Sequence, residues 1–261
     1  MSVWEPKDKL PAAAAESAGR RKKEAKRDTG RLSVVLLHGF AGDGIFTWTL
    51  QVGALAKHYD VYVPDLLFFG GSTSSTPQGG GGHRRSPAFQ AECVERCAVV
   101  GFSYGGFVAF RLAEAHPGQV ASVVCTGSLA GMSRSTGEAA EGRRRVVRRV
   151  PPPRRRRGAQ ERSELLEGLV ISDEDAAAAA PCFGQDILLL WGENDSIFTM
   201  ELASKFKEQL VPKAELRSIS KAGHLVMLER PRVFNRCLRE FLLQQQQPRT
   251  TTTTTSSEAS L

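Results

Sequence analysis

An α/β fold with a doubly wound, mostly parallel sheet is predicted by two features of the sequence. Short apolar runs alternate with segments of helical periodicity, and several of those runs are almost free of polar residues. A polar-free run of strand length marks a strand covered on both faces, as parallel strands are, and the intervening helices supply the crossovers that parallel pairing requires.

Taken in order, residues 32–37 are the first such run and residues 59–63 the second. Between them Trp48, Val52 and Leu55 share one helical face. Residues 97–101 form the third run, preceded by a short helical candidate at 87–96 and followed by a helical stretch at 106–115. Residues 120–125 and 187–191 complete the strands that the apolar runs identify. Leu202, Phe206 and Leu210 share a helical face, and Phe234, Cys237, Leu238, Phe241 and Leu242 keep the i, i+3, i+4, i+7, i+8 spacing of another. Two stretches break the pattern. Residues 72–85 are rich in Gly, Ser and Thr and read as a loop. Residues 130–184 hold an arginine run, Pro151 to Pro153 and an alanine run, with helical character only at 161–169. The organisation expected is a disordered basic segment at 1–31, one α/β domain at 32–243 with a shortened Arg-rich region at 130–184, and a disordered polar tail at 244–261.

Composition narrows the class. Hydrophobic residues make up 41% of the 261 residues and charged residues 24%, as in ordinary soluble domains. No apolar run approaches the roughly 20 residues of a membrane-spanning helix. The opening Met1 to Pro6 lacks the apolar core of a secretory signal, so a cytoplasmic protein is expected. The cysteines (Cys93, Cys97, Cys125, Cys182 and Cys237) are odd in number and form no CxxC pair; they read as free thiols. The net charge of +7 is concentrated in residues 20–27 and 143–157, without aromatics to stack on bases. This predicts solvated basic segments, no specific nucleic-acid partner, and at most weak contact with anionic surfaces. Within residues 142–158 nine arginines crowd together with Val146, Val147 and Val150 as the apolar anchors. Their mutual repulsion predicts a flexible segment that does not line a site.

The chemistry centres on Gly101-Phe102-Ser103-Tyr104-Gly105, a G-x-S-x-G pentapeptide between a strand and a helix. Such a turn forces its middle residue into a strained backbone and lifts the serine hydroxyl clear of the sheet, with only small residues fitting beside it. A serine needs a base to act as a nucleophile. His58 follows a helix, His83 lies in a Gly/Arg loop, His116 closes a helix ahead of Pro117, and His38 ends a strand in a backbone-fixing position. His224, in the loop between the last strand and last helix, remains. The orienting acid belongs between Ser103 and His224 in the chain, at the carboxyl end of a strand. Residues 187–191 lead to Glu193 and Asp195, of which Asp195 has the longer reach toward the histidine loop. The backbone N–H groups of Tyr104 and Phe40 are the candidate oxyanion donors.

These residues resemble the α/β-hydrolase superfamily, specifically plant proteins related to bacterial meta-cleavage-product hydrolases and small serine esterases. The resemblance rests on VVLLHGFAGDGIFTW, YDVYVPDLLFFGGS, VVGFSYGGFVAFRLAEAHP, ILLLWGENDSIF and KAGHLVMLERP, in that order. It implies an α/β-hydrolase sheet, a catalytic triad of Ser103, Asp195 and His224, an oxyanion hole of Phe40 and Tyr104, and no metal or organic cofactor. It also implies three departures. Basic sequence stands where relatives begin with a strand pair, the helix before the nucleophile strand is clipped, and the helical cap is reduced and irregular. The expected activity is hydrolysis of small carboxylic esters through an acyl-enzyme. The alternatives are a ligand-binding receptor on the same fold, a catalytically impaired paralogue, and C–C bond hydrolysis, which needs cap residues that this sequence lacks.

Overall fold

The computed structural model describes residues 3–4, 30–40, 42–72, 95–133, 170–171, 183–210 and 212–246. Among the described residues seven strands form one sheet: β1 (Val3–Trp4), β2 (Ser33–Leu37), β3 (Asp60–Pro64), β4 (Cys97–Phe102), β5 (Val120–Thr126), β8 (Asp186–Gly192) and β9 (Ala214–Ile219). Their order is β1-β3-β2-β4-β5-β8-β9. From β3 to β9 every pairing is parallel, and β1 alone runs antiparallel, with Val3 opposite Pro64 and Trp4 opposite Val63. A separate parallel pair joins β6 (Met132–Ser133) to β7 (Val170–Ile171).

The near-continuous apolar runs are explained by how the sheet is covered. Val35, Leu37, Val99, Val123, Ile187 and Leu189 face one core with Phe107 and Phe110 of α2 (Tyr104–Ala115) and Phe206 of α3 (Met200–Gln209). Their alternating neighbours Val34, Leu36, Ala98, Val100, Val124, Leu188 and Leu190 face the other. That second core is closed by Trp48 and Leu55 of α1 (Gly44–Leu55), by α4 (Val226–Glu229), and by Phe234, Leu238, Phe241 and Leu242 of α5 (Pro231–Gln246). Burial on both faces leaves no polar phase to a strand, which is why these runs do not alternate.

The helices start where local chemistry allows. Asp43 caps α1 by accepting a hydrogen bond from the Phe46 N–H at 2.8 Å, and Thr199 caps α3. The structure departs from the sequence reading at both ends. Val3–Trp4 pairs with the sheet from within the segment expected to lack order, and α5 continues through the first glutamines to Gln246. Glutamine is a good helix former, so a helix already packed by Phe241 and Leu242 extends into that run. Residues 87–94 of one expected helix, the helix expected at 161–169, the loop beyond Ser72, the arginines of 142–158, and the polar tail beyond 246 lie outside the described residues. Glu95 and Arg96, expected to end the first of those helices, are exposed and non-helical. Among the described residues no helix is long and apolar enough to cross a membrane. Cys97 and Cys125 are buried free thiols, that of Cys97 pushed up to about 12 by burial, which keeps it unreactive.

Candidate active site

Ser103 stands where β4 ends and α2 begins, with φ 49° and ψ −117°. Positive φ in a residue bearing a Cβ costs on the order of 1–3 kcal/mol and persists only when the surroundings over-determine it. Here they do. The Ser103 N–H donates to the Thr126 carbonyl at the end of β5 (3.0 Å), and its own carbonyl accepts from the Gly106 N–H (2.8 Å). Tyr104 opens α2, so its N–H lies at the positive end of the helix dipole.

His224 and Asp195 come together from the loops after β9 and β8. The His224 Nδ1 donates to Asp195 Oδ2 at 2.9 Å, and the Asp195 carboxylate is almost fully buried. An ionised carboxylate can only accept, so the hydrogen sits on Nδ1 and the neutral ring offers its lone pair at Nε2. The other carboxylate oxygen, Oδ1, accepts from the N–H groups of Ile197 (2.8 Å) and Phe198 (2.9 Å), which supports a buried charge. The ring is flanked by Phe102, next to Ser103, with centroids 4.9 Å apart, and by Phe198, stacked at 5.9 Å. Gly127, at φ 54°, lies against it: a Cβ there would come within 2.8 Å of His224 Cε1 and Nδ1. Among the described residues no hydrogen bond joins Ser103 to His224. Glu193 points elsewhere, accepting from the Ser218 hydroxyl at 2.9 Å on the exposed side. His58 precedes β3 and His116 precedes β5, so both lie at the amino ends of the parallel strands, across the sheet from Ser103. His83 lies outside the described residues.

Residues 34–236, most of the chain, match the profile of the Alpha/beta hydrolase family. The chain belongs to that family. Over 259 aligned residues it is 25% identical to a dihydrolipoyllysine-residue acetyltransferase component of an acetoin cleaving system from Cupriavidus necator, covering 87% of this chain and 68% of that one. An esterase from Thermogutta terrifontis is 26% identical with a TM-score of 0.60, over 83% of this chain and 91% of that one. A meta-cleavage product hydrolase from Pseudomonas fluorescens has the same fold, at 20% identity and a TM-score of 0.60 over 82% and 91% of the two chains.

In this alpha/beta hydrolase the side of Ser103 nearest β2 joins Phe40 and Tyr104 to two residues that sequence reasoning left out, Asp65 and Phe69. Phe40 is half-buried, and its ring meets Phe69 edge-on at 5.4 Å and Tyr104 at 6.3 Å. The turn that carries Phe69 is tied down by Asp65, which follows β3. Its Oδ1 accepts from the Gly44 N–H and its Oδ2 from the Gly71 N–H, each at 3.0 Å, while the Ser72 hydroxyl donates to its carbonyl at 2.7 Å. An acidic residue at the end of a buried strand was the available signal for Asp65; nothing local marks Phe69 or Phe198. Among the described residues no cluster of three or more His, Cys, Asp or Glu is placed to hold a metal.

His38 fixes the backbone, as expected. Its Nδ1 donates to the Gly39 carbonyl at 2.7 Å and its Nε2 accepts from the Leu66 N–H at 2.9 Å, tying the Phe40 turn to the loop after β3. Burial lowers its pKa below the ordinary 6.5. The unfolded chain thus takes up a proton that the folded ring refuses. This contribution to stability is complete above about pH 6.5 and is lost as the pH falls toward the folded-state value. Thermal melts are expected to show Tm falling below about pH 6.5, with a shallower fall in His38→Gln. Equal slopes would assign the acid sensitivity to other groups.

Proposed function

We propose that this alpha/beta hydrolase cleaves small carboxylic esters through an acyl-enzyme. Ser103 is the nucleophile, His224 the general base, Asp195 the acid that orients it, and the N–H groups of Phe40 and Tyr104 the oxyanion donors. The observation that carries this reading is the hydrogen bond from half-buried His224 to buried Asp195, with the His224 ring against Phe102, the neighbour of a serine on a strained strand-to-helix turn.

In the first half-reaction Ser103 Oγ attacks the ester carbonyl carbon while His224 Nε2 takes the hydroxyl proton. The oxyanion forms facing the two N–H groups, each such donor supplying ~3 kcal/mol of transition-state stabilisation. The intermediate collapses, and the imidazolium returns the proton to the departing alkoxide, which leaves as an alcohol. A water molecule then repeats the sequence on the acyl-enzyme and releases the acid. Asp195 stays ionised throughout, holding the tautomer and stabilising the imidazolium. The Thermogutta neighbour, named an esterase, supports the ester reading. The same triad would serve C–C hydrolysis as the second reading, and the Pseudomonas fluorescens neighbour is named a meta-cleavage product hydrolase.

A fluorophosphonate probe tests nucleophile activation without knowledge of the substrate, since only a general-base-activated hydroxyl attacks phosphorus quickly. Ser103 alone is expected to be labelled in the full chain, and Ser103→Ala is expected to abolish the signal. Labelling that survives Ser103→Ala, or none in folded wild type, overturns the proposal. Parallel assays on short-chain aryl esters and on a dienoate ring-cleavage product separate ester from C–C hydrolysis.

A further inference from the structure

The histidine loop is gripped from two sides. On one, the turn after β8 holds it: the Asn194 N–H donates to the Ala222 carbonyl at 2.8 Å, and Gly192 lies so close that a Cβ would overlap the Gly223 carbonyl. On the other stands Glu229, the last residue of α4. Its Oε2 accepts from the Gly223 N–H at 2.6 Å and its Oε1 from the Leu225 N–H at 3.1 Å. Those are the amides immediately before and after His224.

We propose that Glu229 is a positioning residue for His224, its carboxylate setting the direction of the imidazole by clamping the backbone on both sides of it. The proposal rests on the reading of His224 as the base. Capping α4 would account for one of the two bonds, because Leu225 is the N-cap and an acidic side chain reaching back to that amide is a familiar arrangement. It does not account for the bond to Gly223, which lies upstream of the helix. With both made, the peptide groups flanking His224 are tied to one rigid carboxylate, and the ring's approach to Asp195 and toward Ser103 is fixed from its own backbone.

The loop has need of such a clamp. Lys221, three residues ahead of His224, sits at φ 56° in the left-handed region, a strained conformation that the surroundings must maintain. Gly223 adds backbone freedom directly before the base. Glu229 is itself exposed, whereas Val226 and Met227 of the same helical turn are buried in the core. The carboxylate can therefore be altered without opening the packing that holds α4.

A misplacement of the base by about 1 Å costs on the order of 100-fold in rate, which scales the test. Glu229→Gln keeps one carbonyl oxygen and can retain one bond; Glu229→Ala retains neither. Expected are falls in kcat of about 10-fold and about 100-fold respectively, with KM changing by less than about 3-fold, matching losses in probe labelling rate, and little change in Tm. In wild type the Gly223 and Leu225 amides are expected to exchange slowly with deuterium, a protection lost in Glu229→Ala. Unchanged kcat in Glu229→Ala, a rise in KM that accounts for the loss, a general fall in Tm, or unprotected amides in wild type would each overturn the clamp. Should wild type fail to label at all, the hydrolase reading falls, and the His224 ring resonances decide this proposal separately. They shift in Glu229→Gln if the carboxylate aims the ring and stay in place if it does not.

Discussion

Asp195→Asn is expected to lower ester turnover by about 10⁴-fold while leaving the fold intact. The geometry makes the outcome specific. Asp195 Oδ1 is already engaged by the amides of Ile197 and Phe198, so the asparagine oxygen must take that place to keep the turn. Its NH₂ group then falls where Oδ2 stood, 2.9 Å from His224 Nδ1. An amide nitrogen donates, so Nδ1 must become the acceptor and the ring proton moves to Nε2, where it blocks removal of the Ser103 proton. Glu193→Gln, which disturbs a bond to Ser218 on the exposed side, should change turnover by no more than a few-fold. Steady-state kinetics on one ester, with circular dichroism to confirm folding, compare the two. A costlier loss at Glu193 would reverse the assignment of the acid.

Gly105→Ala is the second large effect expected, and it acts through the backbone. A Cβ at Gly105 would overlap the Leu37 carbonyl and lie 2.7 Å from that of His38, both at the carboxyl end of β2. Neither atom is the mobile end of a side chain, so the first turn of α2 and the His38–Phe40 turn must separate. Overpacking of this kind typically costs ~1–3 kcal/mol, and rigid backbone on both sides puts this case at the upper end or above. Because the displaced segments carry the Tyr104 and Phe40 amides, labelling of Ser103 should fall by at least about 100-fold. Gly53→Ala is the matched control. It lies in α1 with nothing within 4 Å of the added methyl, and relief of backbone entropy should stabilise the protein by about 0.5–1 kcal/mol. Equal behaviour of the two variants in thermal melts would refute the close-approach argument.

What could be read from the sequence followed from how local its causes are. The strands β2, β3, β4, β5 and β8 were visible because burial on both faces leaves a plain apolar run. β9 was not among those runs: it is an edge strand, and Ala214, Glu215, Leu216, Arg217 and Ser218 remain partly or fully exposed. The α1 face was read from Trp48, Val52 and Leu55. The structure adds Gln51, fully buried because its Nε2 donates to the Met227 carbonyl at 2.9 Å and to Asn235 at 3.0 Å. A polar residue that finds partners about 180 positions away carries no local sign of burial. In α3 the face turns slightly, burying Ala203 and Phe206 while Leu202 stays half-exposed. The candidate site was legible for the same reason as the strands. Ser103, Asp195 and His224 each sit in a short segment whose own residues dictate a turn at a strand end. Asp65, Phe69, Phe198 and Glu229 act across loops, so their places follow from the assembled sheet.

The neighbours β5 and β8 have a further consequence. Ser122 to Cys125 pair directly with Asp186 to Leu189, although residues 127–185 intervene, and the start of that interval is tied to a later part of it where β6 meets β7. Its two ends are thus pinned by the sheet whatever its length. For a flexible connection, doubling that length adds only about 0.6 kcal/mol of closure entropy. Lengthening, shortening or exchanging this interval therefore costs little thermodynamically, while the strand ends that carry Ser103 and Asp195 keep their spacing.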